Sequence, residues 1–312
     1  MKLASKDLLS IHDLSTEEFR LILDLAGQMK ATPGRFARSL ERKTLAMIFE
    51  KPSLRTRVTF EAGMTQLGGH AIYLAPSDIS LGARESIPDV ARNLERMVDV
   101  IMARTFRHDS VVQLARYSRI PVINALSDYS HPCQALADFL TLREVHGDLR
   151  KVRLCYVGDG NNVCHSLLFA AAKCGAAITV ACPPGYEPLK EVVELAQQDA
   201  TKTSASLRIV NDPSQAVVGA NAIYTDVWAS MGQEAETEAR AKIFKPFQVN
   251  GALMARAEKG ACFLHCLPAH RGWEVTDAVA DSPASVIFQQ AENRLHAQKA
   301  VLHLVAGQEE HS

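Results

Sequence analysis

Ten short apolar runs recur along the chain with helix-length amphipathic segments between them, and this alternation constrains the fold more than any other feature. The first half holds Leu45–Phe49, Ala71–Leu74, Val100–Ala103 and Val122–Asn124. The second half holds Val152–Val157, Ile178–Ala181, Leu207–Val210, Ala222–Thr225, Cys262–Leu264 and Val286–Phe288. Strand, helix, strand in steady succession predicts parallel sheets covered by helices. A chain of 312 residues is long for one core, so the expectation is α/β with two doubly wound domains whose parallel sheets are joined by linking helices. The break falls near Asp148-Leu149-Arg150-Lys151, which gives domains 1-147 and 148-289. A helix from Pro132 to Val145 would link the sheets, and a last helix, Gln290 to Leu304, lies in a stretch 290-312 that packs back on the first domain. Open parallel sheets bind ligands at their carboxyl-end loops, here expected around a shared cleft.

The formal net charge is -1, so no global field gathers nucleic acid or an anionic membrane surface. Any anion must be held by a local cluster of donors. No apolar stretch approaches a membrane span, and the opening Met1-Lys2-Leu3-Ala4-Ser5-Lys6-Asp7 lacks the apolar run of a secretory signal. The 7 cysteines are odd in number, scattered and without a CxxC pair. These features set the expectation of a cytoplasmic protein without disulfides.

The segment Ala46-Met47-Ile48-Phe49-Glu50-Lys51-Pro52-Ser53-Leu54-Arg55-Thr56-Arg57 is the most informative in the chain. A buried strand ends, proline and serine open a helix, and hydroxyl and guanidinium groups crowd its first turn. Free N–H groups at a helix start form an anion site, to which Ser53 and Thr56 add neutral donors and Arg55 a planar fork. Arg55 and Arg57 point to nearly opposite sides of a helix, so only one reaches a phosphate from it, and Arg55 is assigned. Taken alone, the segment reads equally as an ordinary capped helix with two surface arginines. Two further groups favour the anion site: Arg104 directly follows Val100–Ala103, and His131-Pro132-Cys133-Gln134 opens the linking helix. Three donor clusters then each follow a strand of one sheet.

With these residues in place, the chain resembles the aspartate/ornithine carbamoyltransferase family over nearly its whole length. The marks are Ser53-Leu54-Arg55-Thr56-Arg57, Arg104 and His131-Pro132-Cys133-Gln134. In the second half they are Gly158-Asp159-Gly160-Asn161-Asn162, Asp226-Val227-Trp228-Ala229-Ser230-Met231-Gly232, His265-Cys266-Leu267-Pro268 and Glu292-Asn293-Arg294-Leu295-His296-Ala297-Gln298-Lys299. These later segments resemble the ornithine branch. The resemblance implies that Ser53, Leu54, Arg55, Thr56, Arg104, His131, Pro132, Cys133 and Gln134 hold carbamoyl phosphate, with Cys266, Leu267 and Arg294 completing the reacting centre. It implies that Asn162, Asp226, Ser230 and Met231 hold the α-amino and α-carboxylate ends of L-ornithine. It further implies a homotrimer, or an assembly of trimers, in which a neighbour's loop near Ser80–Arg84 reaches the adjacent site. The family has threonine where this chain has Leu54, and ornithine enzymes commonly have glutamine where it has Ser80.

The chemistry so implied asks Arg104, His131 and Thr56 to face a carbonyl oxygen that gains charge as an amine attacks. Cys266, coupled to Asp226, would orient that amine without forming a covalent bond. The other buried cysteines, Cys155, Cys164, Cys174, Cys182 and Cys262, read as small apolar residues. His265-Cys266 with His270 fits no closed zinc spacing, so no metal is expected. Gly158-Asp159-Gly160 lacks the third glycine of a dinucleotide fingerprint, Val163 standing in its place, so no nicotinamide cofactor is expected. Residues Trp228 to Glu238 read either as a surface connection or, by resemblance, as a lid. The competing readings are transfer to acetylornithine, succinylornithine, putrescine or aspartate, and a non-catalytic paralogue that binds ligand or protein.

Overall fold

The computed structural model describes residues 3–229 and 236–307. They fall into two compact units. One contains the described residues up to Leu140 together with those from Glu292 onward, and the other runs from Thr141 to Ala291. The chain passes from one unit to the other inside two helices, Pro132–His146 and Ile287–Ala306.

The first unit carries strands β1 (Thr44–Phe49), β2 (His70–Leu74), β3 (Val100–Arg104) and β4 (Val122–Leu126), all parallel, in the order β2-β1-β3-β4. The second carries β5 (Arg153–Val157), β6 (Ala177–Ala181), β7 (Ser206–Val210), β8 (Ala222–Thr225) and β9 (Cys262–His265), again parallel, in the order β7-β6-β5-β8-β9. The expected pair of α/β sheets is therefore present. Central strands are buried on both faces, as β3 is at every position, which explains why they read as unbroken apolar runs. Edge strands β2 and β7 alternate exposed and half-buried positions instead.

Each sheet begins in its middle and grows outward in both directions. The order reverses between β1 and β3 in one unit and between β5 and β8 in the other. Helices leave in opposite directions at such a point and open a crevice at the carboxyl ends of the strands. Ile48, Ile101, Val111, Leu114 and Val122 belong to a buried apolar core in the first unit, and Cys155, Val157, Ile223, Phe263 and Val275 to one in the second.

One expected strand is absent. Val286–Phe288 forms no strand: the chain makes one isolated parallel bridge to β9 at Ser285, with Phe263 N–H donating to Ala284 O at 2.8 Å and Val286 N–H to Phe263 O at 2.9 Å, and a helix begins at Ile287. The physical reason is the helical pattern that starts there. Ile287 is 2% exposed and Phe288 70%, and the residues after them are good helix formers whose buried positions recur at helical spacing. Among the described residues, no helix is long and apolar enough to cross a membrane.

Candidate active site

In the first unit the donors sit after three adjacent strands, β1, β3 and β4. Ser53 caps the helix Leu54–Gln66, its Oγ accepting the Thr56 N–H at 3.3 Å, which leaves its own hydroxyl proton to give. Leu54 is the first helical residue and its side chain is 74% exposed, so only its N–H is aimed with the helix. Arg57 is engaged on the outer face by Glu61 at 2.9 Å and by the Tyr73 ring at 3.8 Å. Arg104 ends β3 at a register shift and is buried. The Glu50 N–H donates to Arg104 O and the Glu50 carboxylate accepts the Phe106 N–H, which fastens the ends of β1 and β3 together.

Beyond β4 the loop to the next helix is pinned from inside. Asn124 Nδ2 donates to Leu9 O at 2.8 Å and lies 3.4 Å from Ser130 O, while Ser127 N–H donates to Ser130 O. That places His131, which is buried, immediately before the helix Pro132–His146. Burial first, then the charges of Arg294, Arg104 and Arg55, hold the His131 pKa well below the usual imidazole range. The imidazole is thus a neutral donor among three guanidinium groups, an arrangement suited to an anion with a carbonyl beside it.

Arg294 is almost wholly buried on the helix Ile287–Ala306, with Nη1 donating to Gln134 Oε1 at 2.6 Å and Nη2 to Thr56 Oγ1 at 3.2 Å. Gln134 Nε2 donates in turn to Asp138 at 2.7 Å. Arg294 therefore braces two of the expected ligands. The Cys133 side chain turns into the core, its thiol 3.6 Å from Asn124 O and pushed up to about 11 by burial. Only its backbone stays at the helix start. Ser80 stands apart in its own turn at φ 41°, its hydroxyl donating to Pro76 O at 3.3 Å.

In the second unit the corresponding loops follow β5, β8 and β9. Gly160 lies so close to Pro188 that no side chain fits there. Asn161 caps the helix Asn162–Cys174 with Oδ1, and its Nδ2 donates to Asp226 Oδ2 at 2.9 Å. Asp226, directly after β8, also accepts the Cys266 thiol on Oδ1 at 2.9 Å and the Val227 N–H at 2.8 Å. Asn161, Asp226 and Cys266 thus belong to one constellation, and Asn162 is the first residue of the helix that Asn161 caps. Ser230 and Met231 lie outside the described residues.

Leu267 adopts φ 60°, a region leucine seldom visits, and the bond to Pro268 is cis. Its N–H donates to His265 Nδ1 at 2.9 Å, while His265 Nε2 lies 3.2 Å from Glu274 Oε1. The ring is therefore the Nε2–H tautomer, with both nitrogens engaged. The backbone of His265 is held as well, its N–H donating to Gln290. Asp226, His265 and Cys266 offer ligand atoms within 4.8 Å of one another. A cation there would have to break the Leu267 or Glu274 contact of His265, so the group reads as a hydrogen-bonded cluster.

Glu274 was not singled out from the sequence, while Asn161 and His265 were quoted within motifs but given no binding or catalytic role. Asn161 had a signal, since asparagine before an apolar helical run is a preferred N-cap. Glu274 had none, because it faces His265 only after the chain turns through Pro268 and Gly272.

Residues 6–144 match the model of the aspartate/ornithine carbamoyltransferase carbamoyl-P binding domain, and residues 150–305 match that of the Asp/Orn binding domain. The chain is 56% identical to the anabolic ornithine carbamoyltransferase of Pyrococcus furiosus over 309 residues, 98% of each chain. It is 51% identical to the ornithine carbamoyltransferase of Bacillus subtilis, over 97% of this chain and 94% of that one. The solved ornithine carbamoyltransferase of Thermus thermophilus superposes with a TM-score of 0.88 at 47% identity, covering 97% of this chain and 99% of the other.

Proposed function

The chain belongs to the aspartate/ornithine carbamoyltransferase family, and we propose that it transfers the carbamoyl group of carbamoyl phosphate to the side-chain amine of L-ornithine, giving L-citrulline and phosphate. The reaction serves arginine biosynthesis, in keeping with the anabolic relative. The observation that carries the donor half is the gathering of Arg55, Arg104 and Arg294 around the buried His131.

Carbamoyl phosphate brings a doubly charged phosphate on an activated carbonyl. Arg55, Ser53, Thr56 and the N–H groups that open the Leu54–Gln66 helix take the phosphate. Arg104, His131 and Thr56 face the carbonyl oxygen. A neutral imidazole suits that task, because it donates a hydrogen bond without surrendering a proton to the oxyanion. Each such donor is worth a factor of about a hundred in rate. Arg294 keeps Thr56 and Gln134 in place, and the loop at Leu267 presents its backbone to the carbamoyl amide.

Asp226 and Asn162, with Ser230 and Met231, read the α-amino and α-carboxylate groups of ornithine. Cys266 lies beside the side-chain amine and, through its bond to Asp226, orients the lone pair. The free amine attacks the carbonyl carbon, the tetrahedral centre collapses, and the C–O bond to phosphate breaks. The departing phosphate takes up the amine's proton, so no covalent enzyme intermediate, metal or cofactor is required.

The carbamoyl phosphate-binding domain covers 1-147 with the C-terminal helix, and the ornithine-binding domain 148-289. The protein works in the cytoplasm as a homotrimer to whose neighbouring site the Ser80–Arg84 loop contributes. Exposed Leu54 and Val58, one turn apart on a single helix face, and the edge strand β2 support an apolar contact between copies.

Citrulline formation with ornithine, run beside acetylornithine, putrescine and aspartate, tests the reading. Turnover with ornithine alone is expected. Turnover only with another amine would overturn the acceptor, and silence with all four would overturn the activity.

A further inference from the structure

Arg240, on the helix Thr237–Phe244, is not among the residues assigned to either substrate, yet it is 8% exposed. Its Nη1 donates to Asp159 Oδ2 at 2.9 Å and to Trp228 O at 3.0 Å. Its Nε donates to Glu236 at 2.9 Å, and the guanidinium lies 4.9 Å from the centre of the Tyr186 ring. One buried cation therefore ties together the turn after β5, the segment after β8, the helix Thr237–Phe244 and the segment after β6.

Two of those ties end next to the ornithine constellation. Asp159 precedes Asn161 by two residues, and the Asn161 N–H donates to Asp159 O at 2.7 Å. Trp228 follows Asp226 by two residues. Asn161 Nδ2 and Asp226 Oδ2 then meet across the gap at 2.9 Å. Arg240 also offsets charge, since Asp226 and Glu236 both repel the Asp159 carboxylate. Burial, with that repulsion, pushes the Asp159 carboxyl up to about 6 against the pull of Arg240.

We propose that Arg240 is a positioning residue for the amino-acid substrate: by bonding Asp159 and the Trp228 carbonyl together it fixes the separation of Asp226 from the Asn161–Asn162 turn. The proposal rests on the ornithine reading of Asp226 and Asn162. It makes Arg240 a determinant of ornithine affinity that touches neither substrate, because its contacts stop at the residues behind them. Arginine suits the place, since one planar fork serves two acceptors on different segments.

The test is steady-state kinetics of the full-length protein and of Arg240→Gln, Arg240→Lys and Asp159→Asn, with each substrate varied in turn. Inhibition by 2-aminopentanoate, which has the α-amino and α-carboxylate groups of ornithine but no side-chain amine, is measured alongside. Arg240→Gln is expected to raise the KM for ornithine and the inhibition constant of 2-aminopentanoate together, by about tenfold or more. The KM for carbamoyl phosphate should move less than about twofold. Arg240→Lys should recover part of the loss, and Asp159→Asn should raise the same two constants by less. If Arg240→Gln does not fold, the Lys and Asn variants carry the same comparison. Equal changes in both substrates' KM, or a fall in kcat with the ornithine KM unmoved, would overturn the positioning role. Absence of citrulline from the unaltered protein would overturn the functional reading and this proposal with it.

Discussion

Glu274 accepts a hydrogen bond from His265 at a site where both side chains are wholly buried, and through that bond it sets which His265 nitrogen faces Leu267. The strained turn at Leu267 and the thiol of Cys266 both hang from His265. Replacing Glu274 by leucine removes the acceptor, leaves the Nε2–H buried and unpaired, and frees the ring to turn. The expected cost is about 1–3 kcal/mol of stability. kcat should fall more than the KM for carbamoyl phosphate rises, because the displaced loop carries Cys266 and Leu267 of the proposed reacting centre. Chemical denaturation together with kinetics checks both, and an unchanged kcat would detach Glu274 from the catalytic loop.

Cys266 donates its thiol proton to Asp226, the carboxylate that Asn161 also holds. Cys266→Ala deletes the donor without enlarging a closed core, since the residue is only partly buried. The variant should fold with near-normal stability and lose about 1.5–3 kcal/mol of transition-state stabilisation, the worth of a hydrogen bond to a charged group. That is about a ten- to hundredfold fall in kcat/KM for ornithine. Turnover equal to the unaltered protein would remove Cys266 from the mechanism.

The sequence disclosed most strands because both sheets are parallel and their central strands are covered, so burial on two faces writes an apolar run there. The same logic misled at Val286–Phe288, where one residue follows an isolated bridge to β9 and the next two start a helix. Polar groups placed at or soon after strand ends, such as Ser53, Arg104, His131, Asp226 and Cys266, could be found by position alone. Arg240 and Glu274 could not. Each acts across a separation in sequence, 81 residues from Arg240 to Asp159 and 9 from Glu274 to His265, that no local pattern encodes. The side-chain direction of Cys133 was hidden for a similar reason, since a helix start exposes some residues and buries others according to what packs beneath.

His131 gives stability a pH dependence whose sign is fixed by its folded pKa, which burial and the surrounding arginines hold well below 6.5. Above 6.5 neither the folded nor the unfolded chain protonates it, and its contribution is fully present. Below 6.5 the unfolded chain takes up a proton that the folded chain refuses, so stability falls with pH by about 1.4 kcal/mol per unit until the folded pKa is reached. His108, His146 and His296, also depressed mainly by burial, act in the same direction. The thermal midpoint should therefore drop as pH is lowered from about 7 to about 5, and His131→Asn should make the slope shallower. A midpoint independent of pH over that range would contradict the burial of a neutral imidazole.

Leu54 occupies the first helical position beside the proposed phosphate, with its side chain 74% exposed. Two contributions are possible there, a backbone N–H that any residue supplies and a hydroxyl that leucine lacks. Leu54→Thr separates them. Little packing within its own subunit is lost, the proposed apolar contact being with another copy, so the stability of the subunit fold should change by no more than about 0.5 kcal/mol. If the hydroxyl reaches a phosphate oxygen, the KM for carbamoyl phosphate should fall severalfold while the KM for ornithine stays fixed, because none of the residues proposed to read ornithine lies on this helix. An unchanged KM for carbamoyl phosphate would mean that the helix N–H groups, Ser53 and Arg55 already satisfy the phosphate. Leucine would then be tolerated at this position because the dipole and charge around it leave the missing hydroxyl nothing to add.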